Sequence, residues 1–286
     1  MTLNEMRREG VGSLEGAGIN EASVDALILL EQVFGITYDS ILMRGNEQVD
    51  DDKAEIYRKL ISRRCAHVPL QYISGHQEFM GLDFTVNDDV LIPRQDTECL
   101  VEEALTEIND GMKVLDLCTG SGCVIISIAA YKNDLDAVGT DISGEALAVA
   151  GKNAELNRQN VRFCRGDLYD SLRNIGEYET KFDAIVSNPP YIRSDVIPTL
   201  MEEVRDHEPL TALDGGKDGL DFYRRIIDGA EDHLTPGGCI LFEIGYDQAE
   251  AVTDLFRKSG YRDIETVKDY SGNDRVVKAR RPICMR

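Results

Sequence analysis

From about residue 97 onward, short apolar runs alternate with amphipathic stretches, and this alternation constrains the fold more than any other feature of the chain. Residues 113–117, 137–140, 161–164, 182–187 and 239–244 read as strands. Residues 97–108, 122–130, 143–157, 222–234 and 248–259 read as helices, the third capped by Ser143. Strands that are apolar throughout are buried on both faces, so the pattern predicts a mainly parallel sheet covered by helices on either side. The chain closes with two strands, 264–267 and 275–279, around Ser271-Gly272-Asn273. Two strands joined by so short a turn run antiparallel to each other.

The first 75 residues have a different period. Asn20 is placed to cap a helix over 21–34, in which Val24, Leu27, Ile28, Leu30 and Phe34 form an apolar stripe before Gly35 stops it. Asp50-Asp51-Asp52 supplies acid to the start of a second helix, and its pattern ends before Pro69. Between the two regions, Phe79, Leu82, Phe84, Val86, Val90 and Ile92 suggest two short strands with Asn87-Asp88-Asp89 as their turn. The expected organisation is a helical domain over 1–75, a β-hairpin linker over 76–95 and an α/β domain over 96–286.

Charge narrows the partners. The 286 residues carry 31 Lys and Arg against 52 Asp and Glu, a net charge of −21, which repels phosphate backbones and argues against binding naked nucleic acid. A protein partner with a basic patch stays compatible. There is no apolar run long enough to span a membrane, and residues 1–8 lack the apolar stretch of a signal peptide, so a cytoplasmic location is expected. The seven cysteines (Cys65, Cys99, Cys118, Cys123, Cys164, Cys239 and Cys284) show no Cys-x-x-Cys spacing, and the four histidines show no ligand pattern; neither disulfides nor a metal site is expected.

Four segments carry chemistry. Val114-Leu115-Asp116-Leu117-Cys118-Thr119-Gly120-Ser121-Gly122 lies where the first parallel strand turns into a helix. Glycines let a ligand approach the backbone there, and the helix start offers N–H groups. Dinucleotide and Walker loops both fail: Ile125 stands where a third glycine would be needed, and no Gly-Lys-Ser/Thr occurs. Asp116, leading into the turn, suits a ligand with a positive centre. Asp141 ends the next strand, 25 residues on, where a carboxylate can accept ribose hydroxyls, and Asp167 follows the third strand, placed to accept from an adenine amine. Ser187-Asn188-Pro189-Pro190-Tyr191 follows the fourth. Its prolines remove two N–H donors, leaving carbonyls and the Asn188 oxygen as acceptors, with Tyr191 as a flat ring: a fit to a planar –NH2 group.

These segments resemble class I methyltransferases that use S-adenosylmethionine on amino nitrogens. Glu78-Phe79-x-Gly81, Val90 through Glu98 with Ile92-Pro93-Arg94, Glu208-Pro209-Leu210-Thr211-Ala212-Leu213 and Asp269-Tyr270-x-Gly272-Asn273-x-Arg275 extend the match over nearly the whole chain. Here the resemblance is to the protein-(glutamine) methyltransferases of the HemK/PrmC family. Two positions depart from that family's pattern: Cys118 stands where glycine is usual, and Gln95 where proline is usual. A side chain at 118 is expected to be tolerated through a negative φ.

The resemblance implies a Rossmann-like seven-stranded sheet with the last strand antiparallel, behind a helical substrate-recognition domain. It implies S-adenosylmethionine bound by Asp116, Cys118, Thr119, Gly120, Ser121 and Gly122 at its amino-acid end, by Asp141 at the ribose and by Asp167 with Leu168 at the adenine, with Asn188 beside it. It also implies that a peptide chain release factor presents a glutamine to Asn188, Pro189, Pro190 and Tyr191, with Phe79 and Arg94 nearby. Asn188 and the Pro189 carbonyl would orient the amide nitrogen for in-line attack on the methyl carbon, Tyr191 would pack on its plane, and the enzyme would work as a monomer without a metal. Two readings stay open beside it. One is an adenine-specific nucleic-acid methyltransferase, against which the net charge counts. The other is a non-catalytic cofactor-binding scaffold, against which the intact tetrad counts.

Overall fold

The computed structural model describes residues 1–176 and 180–283, so Cys284 lies outside the described residues. The chain divides into two compact units: 1–75 together with 201–207, and 76–200 together with 208–286. The hairpin is thus part of the second unit rather than a separate linker, and a short excursion of the α/β chain belongs to the first.

In the first unit, helices α1 (Leu3–Gly16), α2 (Ala22–Phe34), α3 (Tyr38–Arg44), α4 (Asp51–Cys65) and α5 (Leu70–Ser74) enclose a core of Met6, Leu14, Leu29, Leu30, Tyr57 and Ile61. Thr2 and Glu5 form a reciprocal capping box at α1, and Asp50 caps α4 by accepting from the N–H groups of Asp52 and Lys53. Gly35 ends α2 in the left-handed conformation. Asn20 does not cap α2: Glu21 occupies that position without a side-chain bond. The buried face is also rotated from the apolar stripe, with Ala22, Asp25, Ala26, Leu29 and Leu30 inside and Val24 exposed. Asp25 accounts for the difference. Arg64 Nε donates to its carboxylate at 2.6 Å while Nη1 donates to the Val68 carbonyl and Nη2 to Glu203, so a paired charge occupies a core position.

In the second unit, β1 (His76–Phe79) and β2 (Leu82–Thr85) form a hairpin whose turn is Met80-Gly81, with φ of 52° and 68°. A type I′ two-residue turn, which matches strand twist, has positive φ at both central positions, and glycine supplies one of them freely. The expected turn at Asn87-Asp88-Asp89 is therefore corrected: it lies beyond β2, where Asn87 Oδ1 accepts from the Asp89 N–H.

Strands β3 (Lys113–Leu117), β4 (Asp136–Asp141), β5 (Val161–Arg165), β6 (Phe182–Ser187), β7 (Leu234–Glu243), β8 (Arg262–Lys268) and β9 (Asp274–Arg280) form one sheet in the order β5-β4-β3-β6-β7-β9-β8. Strands β5 to β7 are parallel, and β9 is antiparallel to both neighbours. Successive residues feed opposite cores. Val114, Ala184, Val186 and Leu241 pack with α6 (Glu98–Glu107) and α7 (Cys123–Tyr131) on one face. On the other face Leu115, Leu117, Ile185, Ile240 and Phe242 pack with Tyr223, Ile226 and Phe256. Both sides of each strand are apolar because both are covered. The chain moves outward from β3 to β4 in one direction and from β6 to β7 in the other. The carboxyl ends of β3 and β6, where Leu117 pairs with Ser187, are therefore the switch point at which open sheets bind ligands. Among the described residues no helix is long and apolar enough to cross a membrane.

Candidate active site

A cavity of about 410 Å³ opens at this switch point, lined from β3, β4, β5 and β6 ends together with residues 89–97 and 209–214. The β3 end supplies Asp116, Cys118, Thr119, Gly120 and Ser121. Asp116 is 1% exposed and accepts the Thr119 hydroxyl at 2.6 Å. Burial pushes its pKa up to about 7; the Thr119 bond opposes this and the Asp141 charge adds to it. The Thr119 N–H crosses to the Thr140 carbonyl at 2.9 Å, closing the turn tightly. That turn holds Cys118 at φ 62°, which corrects the expected negative value. With this left-handed residue between them, the Thr119 hydroxyl turns back to bond Asp116. Burial pushes the Cys118 thiol well up, so it stays neutral. Gly122, also at positive φ, has no room for a Cβ, which would meet Ile126 Cδ1 at 2.7 Å and Ala150 Cβ at 3.2 Å.

Asp141, at the end of β4, is fixed by its own neighbourhood. Its Oδ2 accepts from the Gly120 N–H and its Oδ1 from the Ser143 N–H, both at 2.9 Å. Each oxygen keeps a further lone pair for a ligand hydroxyl. Ser143 caps α8 (Gly144–Leu156) through the Ala146 N–H. Asp167 and Leu168 line the far wall. Leu168 takes φ 47°, a second strained position at the cavity, and Asp167 pairs with Arg225 at 2.6 Å.

Of the tetrad, Asn188 and Pro190 face the cavity. Asn188 Nδ2 donates to Thr97 Oγ1 at 3.3 Å. Pro189 is buried and is not among the lining residues. Tyr191 is directed away from the cavity, its hydroxyl donating to Glu243 at 3.2 Å and its carbonyl accepting from Gln248 Nε2 at 3.0 Å. Arg94 lines the mouth and pairs with the buried carboxylate of Glu208. Phe79 stands apart. It is 2% exposed and packs edge-on against Phe84 in the core, because its alternation in β1 points it inward.

Sequence reasoning assigned no role to several groups that shape the cavity: Thr97, Arg225, Phe222, Glu208 and, behind the tetrad, Glu243. Glu243 left a trace, as the acid that ends the apolar run Ile240-Leu241-Phe242. Arg225 and Phe222 left none, because a helix turn far along the chain carries them to the rim.

Comparisons with known proteins bear on the fold and the family. Residues 5–75 match the family model of the PrmC N-terminal domain, and 95–204 match the methyltransferase small domain. A release factor glutamine methyltransferase of Geobacter sulfurreducens is 41% identical over 94% of this chain and 93% of its own length. The chain belongs to the release factor glutamine methyltransferase family. A member from Clostridium acetobutylicum is 44% identical over 89% of this chain and 90% of its own. In fold alone, a methyltransferase from Pyrococcus furiosus superposes with a TM-score of 0.56 at 22% identity, covering 78% of this chain and 100% of that one. The family's N-terminal model ends at residue 75, where the first unit gives way to the hairpin.

Proposed function

We propose that this protein methylates the side-chain amide nitrogen of the glutamine in the Gly-Gly-Gln motif of peptide chain release factors, using S-adenosylmethionine. The observation that carries the reading is the juxtaposition of Asn188 with the acidic glycine turn at neighbouring strand ends, Leu117 beside Ser187. That arrangement supports reading Asn188 as an acceptor for an amide beside a site for a cationic ligand, in a chain whose relatives carry this activity by name.

The cavity fits the cofactor. Asp116 is a buried acid with no cation among the described residues that shift its pKa, suited to an ammonium group; Asp141 presents two backbone-anchored oxygens to a ribose diol; Asp167 and Leu168 border the space for adenine. When bound, the cofactor supplies a methyl group activated by positive sulfur. The chain's own residues do the rest. A glutamine amide is a poor nucleophile because its lone pair is delocalised into the carbonyl. Asn188 Oδ1 and the Pro189 carbonyl accept from its –NH2, orienting the nitrogen and enriching it in electron density. Tyr191 stiffens the tetrad from behind through Glu243. Acceleration then comes from positioning and fixed dipoles. Residues 1–75, as a substrate-recognition domain, supply the remote contacts that a lone glutamine lacks. The enzyme acts in this reading as a monomer in the cytoplasm, on a protein rather than on naked nucleic acid, which a net charge of −21 disfavours.

The test is incubation with labelled S-adenosylmethionine and, in parallel, a release factor, duplex DNA and free glutamine. Mass spectrometry is expected to find one methyl group on the Gly-Gly-Gln glutamine, with little on free glutamine. Asn188→Ala is expected to keep the fold and lose about a hundredfold or more in turnover. Methyl on DNA adenine, or undiminished glutamine methylation by Asn188→Ala, overturns the reading.

A further inference from the structure

An asparagine that must accept from a substrate –NH2 has a direction problem. Its side-chain amide has an acceptor end and a donor end of nearly the same shape. If Asn188 turned its Nδ2 to the cavity, two donors would face each other and the substrate nitrogen would be pushed away. Something has to fix which end points where.

The structure places Thr97 at that task. Asn188 Nδ2 donates to Thr97 Oγ1 at 3.3 Å. Thr97 is 2% exposed and sits in the 3-10 turn Gln95–Thr97 that leads into α6, so the backbone sets its hydroxyl position. A hydroxyl is itself ambiguous, since it can donate or accept. Glu243 removes that ambiguity. It ends β7, is 2% exposed, and as a carboxylate can only accept. Tyr191 already donates to its Oε1, while Oε2 is buried with no hydrogen-bond partner. Burial raises the pKa of the Glu243 carboxyl, and the Thr97 hydroxyl, Arg275 and Tyr191 oppose that rise. Oε2 is thus a vacant buried acceptor toward which the Thr97 hydrogen can turn, leaving the hydroxyl's lone pairs to Asn188.

We propose that Thr97 is a positioning residue of the methyl-accepting site, parking Asn188 Nδ2 so that Oδ1 faces the cavity, with Glu243 setting the direction of the Thr97 hydroxyl. The proposal rests on the amide-methylating role given to Asn188 above. It also gives a chemical reason for a threonine at this place in the segment that carries Arg94.

The experiment compares Thr97→Val, which keeps shape and removes the hydroxyl, with Thr97→Ser, which keeps the hydroxyl. Steady-state kinetics on a whole release factor, calorimetric cofactor affinity and thermal unfolding are measured for each. Thr97→Val is expected to lower kcat about ten- to hundredfold, with KM for the release factor and cofactor affinity within about twofold. Thr97→Ser is expected to retain kcat within about threefold. On an Asn188→Ala background, Thr97→Val is expected to cost nothing further, because the group it orients is gone. Should Thr97→Val not fold, Thr97→Ala and Thr97→Ser carry the same comparison. Unchanged kcat in the hydroxyl-free variant, or equal loss in Thr97→Ser, overturns the proposal. Full activity in Asn188→Ala alone overturns instead the role of Asn188 on which it rests, so the two failures are told apart.

Discussion

A buried carboxylate is an expensive thing for a strand end to hold, and Asp116, with no cation among the described residues that shift its pKa, is one. The Thr119 hydroxyl bonds it, yet burial and the neighbouring Asp141 charge leave it half protonated near pH 7. A cationic ligand binds the ionised form. Below a pKa of about 7 the proton must first be displaced, so affinity falls as pH falls; above it the group is already charged and this contribution levels off. S-adenosylmethionine affinity is therefore expected to rise about tenfold between pH 5.5 and 7. Asp116→Asn is expected to bind more weakly and with a flat pH profile over that range. Calorimetry at several pH values decides it, and a pH-independent affinity in the unmodified protein would remove Asp116 from the cation's side of the site. At this scale the sequence was informative. Asp116, Asp141 and Asp167 stand at strand ends where the period of the apolar runs put them, and all three line one cavity. Their hydrogen-bond partners were not legible. Thr97 and Glu243 meet Asn188 and Tyr191 only because separate elements converge, and no spacing records such a meeting.

Among the elements, the turn from β3 into α7 shows where reading by residue type falls short. The glycines at 120 and 122 were legible as a tight turn, and both have positive φ. The conformation of residue 118 was not, because a cysteine gives no hint that the chain needs the left-handed region there. The same blindness misplaced the hairpin turn, where Met80 takes positive φ and three polar residues nearby looked the better turn. For a non-glycine residue that region costs about 1–2 kcal/mol, and β-branching makes it worse. Cys118→Gly relieves the strain but gives up about 0.5–1 kcal/mol to the greater freedom of glycine in the unfolded chain. Its stability is expected to stay within about 1 kcal/mol of the parent. Cys118→Val is expected to lose about 1–2 kcal/mol relative to Cys118→Gly. Denaturant unfolding of the three proteins at one pH measures this order, and a valine variant as stable as the glycine one would contradict the strain.

At the scale of the whole molecule the governing quantity is a net charge of −21. So large an imbalance raises the local concentration of basic partners and lowers that of phosphate backbones. On the proposed reading, a release factor meets this field before its glutamine reaches the cavity. Long-range attraction between exposed charges is screened beyond a Debye length, about 10 Å at 0.1 M salt and about 6 Å at 0.3 M. Asp116, proposed to face the cofactor's charge, lies inside the protein, where added salt screens much less. The two binding steps should therefore separate. Raising salt from 0.05 to 0.3 M is expected to increase KM for the release factor about three- to tenfold, chiefly through a slower association rate. Over the same range kcat and cofactor affinity are expected to stay within about twofold. Stopped-flow association and steady-state kinetics across the salt series measure both. A release-factor KM indifferent to salt would mean that the acidic surface plays no part in capturing the substrate, and that recognition rests on apolar contacts instead.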